Sequence, residues 1–323
     1  MRPAVSVIVP VYKVEQFIGE CARSLFEQTL QNVEYVFVND CTPDASMDVL
    51  RTVIAEFPSR EAAVKIVDKP QNEGLPAARR SGLAVASGEY VAHCDSDDRI
   101  EPDMFERLYN EAMAHNADGV VCGMFYNDAP LPTKYSREGE NRRDFILADM
   151  IAATEMQSLC RFIFRRELYS KGVEFPVHNQ GEDHATLVQL AYFSKSIFCV
   201  DKPMYHWRCN QESMTHAPSA EAVIKRFSDA CANARLVEAF LAGKGLGGRY
   251  AAQVVALKLF SMFYMRPLLR LGDGIPEWRG EFPEVRGKVL CNKYISFQHK
   301  IEYLVDRYCP RSIIKTIYRW RSC

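Results

Sequence analysis

Between Val5 and Phe125 the chain repeats one pattern, a short apolar run followed by apolar residues at helical spacing. Val5-Ser6-Val7-Ile8-Val9-Pro10-Val11 is polar only at Ser6, as expected of a strand covered on both faces of a parallel sheet, with Pro10 predicted to mark its end. Val14, Phe17, Ile18, Cys21, Leu25 and Phe26 then recur with the period of an amphipathic helix. The pair returns as Tyr35–Val38 followed by Met47, Leu50, Val53 and Ile54, and as Val64–Val67 followed by Leu75, Ala78, Leu83 and Val85. Tyr90 onward, a helix near Met104–Met113, and Gly119–Phe125 continue it. Strands alternating with helices in this way predict a doubly wound α/β sheet, which binds ligands outside the carboxyl ends of its strands. Asp40 and Asp95 fall at two such ends.

After Phe125 the pattern loosens. Arg161–Arg166 alternates like a strand, Gly181-Glu182-Asp183-His184 leads into a helix carrying Leu187, Leu190 and Ala191, and Ile197–Val200 reads as a last short strand. From Ala220 onward the periodicity is helical, broken at Gly243–Gly248 and Gly272–Pro276. The expected organisation is therefore an α/β domain over residues 1–218 and a mainly helical region over 219–323.

Charge divides the chain at nearly the same place. Residues 220–323 hold 18 Lys and Arg against 9 Asp and Glu (+9), and the preceding residues hold 22 against 32 (−10). The 11 cysteines are scattered with no CxxC pair, against both a disulfide framework and a zinc cluster. No run of eighteen uncharged apolar residues exists, and Met1-Arg2-Pro3 enters a strand without the parts of a signal peptide; the expected location is cytoplasmic. Nothing in the chain points to nucleic acid.

The segment Ser87–Asp98 runs a short apolar strand straight into Asp95, Asp97 and Asp98. If extended, it projects Asp95 and Asp97 to one side and Asp98 to the other. Oxygen ligands alone suit Mg²⁺ or Mn²⁺ rather than zinc. The same residues also suit a turn or the start of the helix near Pro102, so on their own they leave both readings open.

Five segments in order resemble the family 2 inverting glycosyltransferases, which have the GT-A nucleotide-sugar fold: Val5–Tyr12, Val38–Asp44, Asn72–Arg79, Gly88–Asp98 and Gly181–Asp183. With Tyr205–Arg208 and Ser213–His216, the resemblance spans Val5–His216. It implies a mixed doubly wound sheet and assigns roles by position. Pro10, Tyr12 and Arg208 fall in donor-binding segments, Asp40 takes the place of the acid that recognises uracil, and Arg79 that of the arginine approaching the diphosphate. Asp95 and Asp97 match the family's Asp-x-Asp, with Asp97 the metal ligand and Asp95 beside it on donor or metal. His216 is a further metal or phosphate contact. Asp183 takes the place of the catalytic base, with Glu182 orienting groups beside it. The ordinary readings are a turn residue for Asp40, a solvated helix face for Arg79, opposition to a helix dipole for Glu182 and Asp183, and a surface position for His216. The chain departs from the family at Cys41-Thr42-Pro43, where Gly-Ser-Thr is usual, at Arg80 in place of a frequent Asn, and near Cys160, where a usual Trp is missing.

The resemblance implies transfer of a sugar, with inversion and with Mn²⁺ or Mg²⁺, from a UDP-sugar to a hydroxyl of a saccharide or lipid-linked saccharide acceptor in cell-surface polysaccharide or glycoconjugate synthesis. Two other classes stand beside it. A nucleotidyltransferase would carry a Gly-rich, Lys-containing loop after the first strand, where this chain has Pro10-Val11-Tyr12-Lys13; a non-catalytic sugar-nucleotide-binding scaffold would have no need of Asp40, Asp97 and Asp183 together. The C-terminal stretch Arg311–Arg321 has four cations and no acid, with Arg311, Lys315 and Arg319 opposite much of Ile313, Ile314, Ile317 and Trp320. That pattern fits peripheral contact of residues 311–323 with the anionic inner face of a membrane, packing within the helical region, or a homodimer contact.

Overall fold

The computed structural model describes residues 2–131, 133–137, 139–154, 158–208, 219–271 and 273–320. Apolar side chains on both faces put β1 (Val5–Val11) in the sheet interior, with all seven residues buried. It runs parallel to β2 (Val33–Asn39), which is parallel in turn to the edge strand β3 (Val64–Asp68), and it is parallel on its other side to β4 (Tyr90–His93). Pro10 does not end β1: it pairs opposite Val38 inside the strand. The carbonyl of Ile8 accepts from Cys94 N–H at 3.0 Å, on the β4 side. Pro10, two residues on, turns its nitrogen the same way, where β4 has already ended opposite Ile8, so the ladder loses no bond.

Helices α1 (Ile18–Phe26), α2 (Ser46–Glu56), α3 (Pro58–Glu61) and α4 (Leu75–Val85) fill the connections between these strands. Then follow β5 (Arg99–Ile100), α5 (Met104–His115), β6 (Gly119–Tyr126), β7 (Ala129–Leu131), α6 (Arg143–Ala152), β8 (Phe162–Arg165), α7 (Glu182–Phe193) and β9 (Ile197–Trp207). The strand order is β3-β2-β1-β4-β8-β6-β9-β5, with β7 paired to β6. β8 is antiparallel to both β4 and β6, and β9 is parallel to β6, so the doubly wound sheet is mixed. β9 runs well past the expected Val200. Its continuation is hidden in sequence by Asp201, Lys202 and Pro203, where the pairing shifts register against Gly123.

A buried carboxylate ties the amino ends of these strands together. Glu34 accepts from Ser6 Oγ at 2.5 Å, from Ser87 N–H at 2.8 Å, from Ser87 Oγ at 2.7 Å and from Lys65 Nζ at 2.5 Å. Burial alone would raise its pKa, but the bonds from Lys65, Ser6 and Ser87 outweigh it and hold the carboxyl at about 2. Gly88 is required in the turn before β4, because a Cβ there would lie 2.6 Å from Ser6 N.

The chain divides into two compact units, one of residues 1–146, 158–177 and 189–210, the other of 147–157, 178–188 and 211–323. The second carries α8 (Ala220–Gly243), α9 (Ala251–Met262), α10 (Arg266–Leu271), α11 (Ile275–Gly280), α12 (Phe297–Tyr308) and α13 (Arg311–Trp320). It also takes in two segments that precede the expected boundary at residue 218. Within it Trp278 is fully buried and donates Nε1–H to the Met262 carbonyl at 3.0 Å. Among the described residues no helix is long and apolar enough to cross a membrane.

Candidate active site

At the carboxyl end of β2, Asp40 is almost fully buried and its carboxylate is engaged. It accepts from Glu73 N–H at 3.1 Å and Gly74 N–H at 2.9 Å, and Lys69 Nζ lies 2.9 Å away. Lys69, itself buried, also reaches Glu73 at 2.7 Å. Burial would lower the pKa of this ammonium, but the bonds to Glu73 and Asp40 raise it overall, which keeps it charged. Gly74, with φ 87°, starts α4 in the left-handed region that favours glycine, and this puts its N–H on Asp40. Asp40 therefore fixes the start of α4 and keeps only part of its acceptor capacity for a ligand.

One and a half turns into α4, the buried Arg79 reaches across to Asp95 at 2.9 Å. Helix α4 thus links the acid ending β2 to the acid following β4. Strand β4 stops at His93, and Asp98 N–H donates to the Asp95 carbonyl at 3.1 Å, closing a turn. The expected alternation of Asp95, Asp97 and Asp98 along an extended strand is corrected accordingly. Asp95 and Asp97 are half-buried and Asp98 is buried, but the turn makes this division, not the pleat. Asp98 accepts from Tyr205 O–H at 2.5 Å and from Arg208 N–H at 2.8 Å, while Asp95 N–H donates to the same Tyr205 oxygen at 3.2 Å. Burial, and then the negative charge of Asp95 and Asp97, push the Asp98 carboxyl well above its usual range. Asp98 ties the end of β9 to the acidic turn.

Pro10 is buried in β1, and Tyr12, just beyond it, is 40% exposed. The loop holding Tyr12 is pinned to the one after β2: Lys13 N–H donates to Thr42 Oγ1 at 2.8 Å and Val14 N–H to Ser46 Oγ at 3.0 Å. Helix α1 begins at Ile18, although its apolar spacing begins at Val14. Arg208, fixed through its N–H by Asp98, places its guanidinium 2.5 Å from Glu20 and over the Phe17 ring.

Glu182 and Asp183 lie in the second unit, in the first turn of α7, with Glu182 buried and Asp183 half-buried. Gly181, with φ 81°, precedes them as Gly74 precedes α4. The loop before them is held by the buried Asn233 of α8, whose amide donates to the His178 and Gln180 carbonyls at 2.9 Å each. Burial lowers the pKa of the neighbouring His184, whose imidazole bonds the Met150 carbonyl.

Among the described residues no group of three or more His, Cys, Asp or Glu side chains is placed to hold a metal ion. His216 lies outside the described residues. The half-buried Asp95 and Asp97 are suited to an ion that takes its other ligands from water and phosphate, and a cation there would relieve the repulsion felt at Asp98. In the first unit, then, Asp40 is bonded to the start of α4, Arg79 of α4 to Asp95, and Arg208 to Asp98 of the same acidic turn, which also carries Asp97. From sequence neither Lys69 nor Asn233 was named, and Tyr205 only as the start of a family-like segment, without its bond to Asp98. Lys69 was accessible there, since Lys69 directly follows β3 as Asp40 follows β2.

A family model described as Glycosyl transferase family 2 matches residues 6–172. "Uncharacterized glycosyltransferase EpsJ" of Bacillus subtilis is 31% identical over 237 residues, 69% of this chain and 66% of that protein. The chain spans less than two thirds of the length of the first curated relatives it matches. S. aureus TarS superposes with a TM-score of 0.70 at 18% identity over 99% of this chain and 55% of that one. Its fragment 1–349 in complex with UDP-GlcNAc gives 0.60 at 19% identity, over 96% and 93%. The mannosyltransferase PcManGT of Pyrobaculum calidifontis, in complex with GDP-Man and Mn²⁺, gives 0.59 at 17%, over 99% and 85%. These structural likenesses are of fold.

Proposed function

Given that this chain belongs to glycosyl transferase family 2, we propose that it transfers a glycosyl group from a UDP-sugar to an acceptor hydroxyl with inversion and with the help of a divalent cation. The observation that carries the reading is helix α4, which is anchored on Asp40 at one end of the site and delivers Arg79 to Asp95 at the other. The neighbours with UDP-GlcNAc and with GDP-Man and Mn²⁺ support a nucleotide-sugar donor and a cation.

In this reading the remaining acceptor capacity of Asp40 takes an N–H of the base, and Arg79 with the free N–H groups that begin α4 faces the diphosphate. Tyr12 and Arg208 border the donor, with Pro10 fixing the strand end beneath. Asp97, with Asp95 beside it and His216 as a further ligand, would hold Mn²⁺ or Mg²⁺, which when bound supplies positive charge against the departing diphosphate. Asp183 takes the acceptor hydroxyl proton as the oxygen bonds to the anomeric carbon and the bond to UDP breaks on the opposite side. Such a base contributes roughly 10²- to 10⁴-fold. Glu182 orients groups around it. The acceptor is a saccharide or lipid-linked saccharide, a reading supported by the basic charge of the C-terminal region, which suits an anionic lipid surface.

The test separates the roles. Asp183→Asn should bind UDP as the parent does and lose transfer, while Asp97→Ala should lose the metal-dependent part of UDP binding in calorimetry. Undiminished turnover in Asp183→Asn rejects the assigned base, and UDP binding without turnover in the parent chain, for every donor and acceptor offered, favours a sugar-nucleotide-binding scaffold.

A further inference from the structure

Helix α12 has its polarity reversed. Its buried residues are Glu302, Tyr303, Asp306 and Arg307, while Phe297, Ile301, Leu304 and Tyr308 are exposed, Phe297 at 78% and Tyr308 at 65%. The inward charges are matched. Glu302 accepts from Arg266 at 2.5 Å, the Asp306 carboxylate lies 4.0 Å from Arg266 Nε, and Arg307 donates to the Arg279 carbonyl at 2.5 Å. The outward four recur at i, i+4, i+7 and i+11, which places them within about 60° of one another around the helix axis. Burying charge while exposing Phe, Ile, Leu and Tyr in one stripe is the pattern of a surface that meets something apolar.

Of the three alternatives its sequence left open, helix α13 takes packing within the helical region, at least in part. Ile314 is fully buried, the helix packs on α10, and Arg311 pairs with Asp273 at 2.6 Å, so part of its apolar side is used inside the unit. The uncovered stripe lies on α12, with Ile313 exposed just beyond it along the chain.

Charge selects the occupant. From Arg286 to the C-terminus the chain has nine Lys and Arg and two acids, Glu302 and Asp306, both of which are buried; Arg307 is buried and Arg311 pairs with Asp273, and Arg286, Lys288 and Lys293 are exposed with Lys300 half-buried. An apolar stripe in a stretch whose acids are all withdrawn complements a surface that is apolar beneath and anionic above. A second copy meeting it across a two-fold axis would bring the same cations face to face.

We propose that the Phe297, Ile301, Leu304 and Tyr308 face of α12 docks this protein on an anionic lipid bilayer, with the helix lying in the interface. This docking is independent of glycosyl transfer, and its test needs no turnover. The full chain is sedimented with vesicles of phosphatidylcholine mixed with phosphatidylglycerol, and with vesicles of phosphatidylcholine alone. Binding is expected to the anionic vesicles, weakened by salt, and to fall at least about tenfold when Phe297, Ile301 and Leu304 are all changed to Gln. Phe297→Gln alone, at the most exposed position, should lower it about threefold with an unchanged urea midpoint. Equal binding by parent and variants, no binding to anionic vesicles, or a dimer in light scattering that the triple variant dissolves would each overturn the proposal, the last in favour of a second copy on this face.

Discussion

Glu34→Gln should destabilise the sheet by an amount that depends on pH in a defined way. The Glu34 carboxyl is held at about 2 against an ordinary 4.5. At about 1.4 kcal/mol per pH unit the ionised form then contributes about 3 kcal/mol to folding at neutral pH. A carboxylate held below its unfolded value gives stability that is complete above the unfolded value and lost as pH falls toward the folded one, so the window runs from about 4.5 down to about 2. Gln keeps the shape but not the charge that Lys65, Ser6 and Ser87 surround. Urea unfolding at pH 6 should show the variant about 3 kcal/mol less stable, and by pH 3.5 about 1.4 kcal/mol of that gap should have closed. Equal stability at pH 6, or a gap unchanged between pH 6 and 3.5, would refute the assignment of the strand ends to this carboxylate.

Two further substitutions probe the scaffold of the site. Tyr205→Phe removes the hydroxyl shared by Asp98 and Asp95 N–H and leaves a buried carboxyl short of a partner; a loss of about 1–3 kcal/mol in urea unfolding is expected, together with weaker UDP binding through the loosened turn. Gly88→Ala places a methyl group 2.6 Å from Ser6 N and 2.7 Å from Ser6 Oγ, and should lower stability by about 1–3 kcal/mol, read as a lowered thermal midpoint.

The parallel half of the sheet was legible because β1, β2 and β3 are rich in β-branched residues and each is followed by a periodic helix. Among the antiparallel partners β8 was legible too, from the alternation over Arg161–Arg166, but the shorter or interrupted strands were not. β5 and β7 have two and three residues, too few for any period, and β9 crosses Lys202 and Pro203 at a register shift. At the site, Asp40, Arg79 and Asp95 could be named from motif positions, but not the bonds they make, since Gly74 to Asp40 and Arg79 to Asp95 join residues 34 and 16 positions apart. The turn at Asp95–Asp98 defeated the alternation argument because a pleat rule applies only while the chain stays extended, and the strand ends at His93. The reversed polarity of α12 was hidden for a related reason: the charge that lets Glu302 and Asp306 turn inward is that of Arg266, on another helix.

The central claim is that the acidic turn and α4 bind a nucleotide-sugar whose sugar is then transferred. Release of nucleoside diphosphate from a panel of UDP- and GDP-sugars, with saccharide acceptors and with or without Mn²⁺, tests it most directly. Cation-dependent release from at least one UDP-sugar is expected, abolished by Asp183→Asn. Release from no donor, together with no calorimetric binding of UDP or GDP in the presence of Mn²⁺, would contradict it.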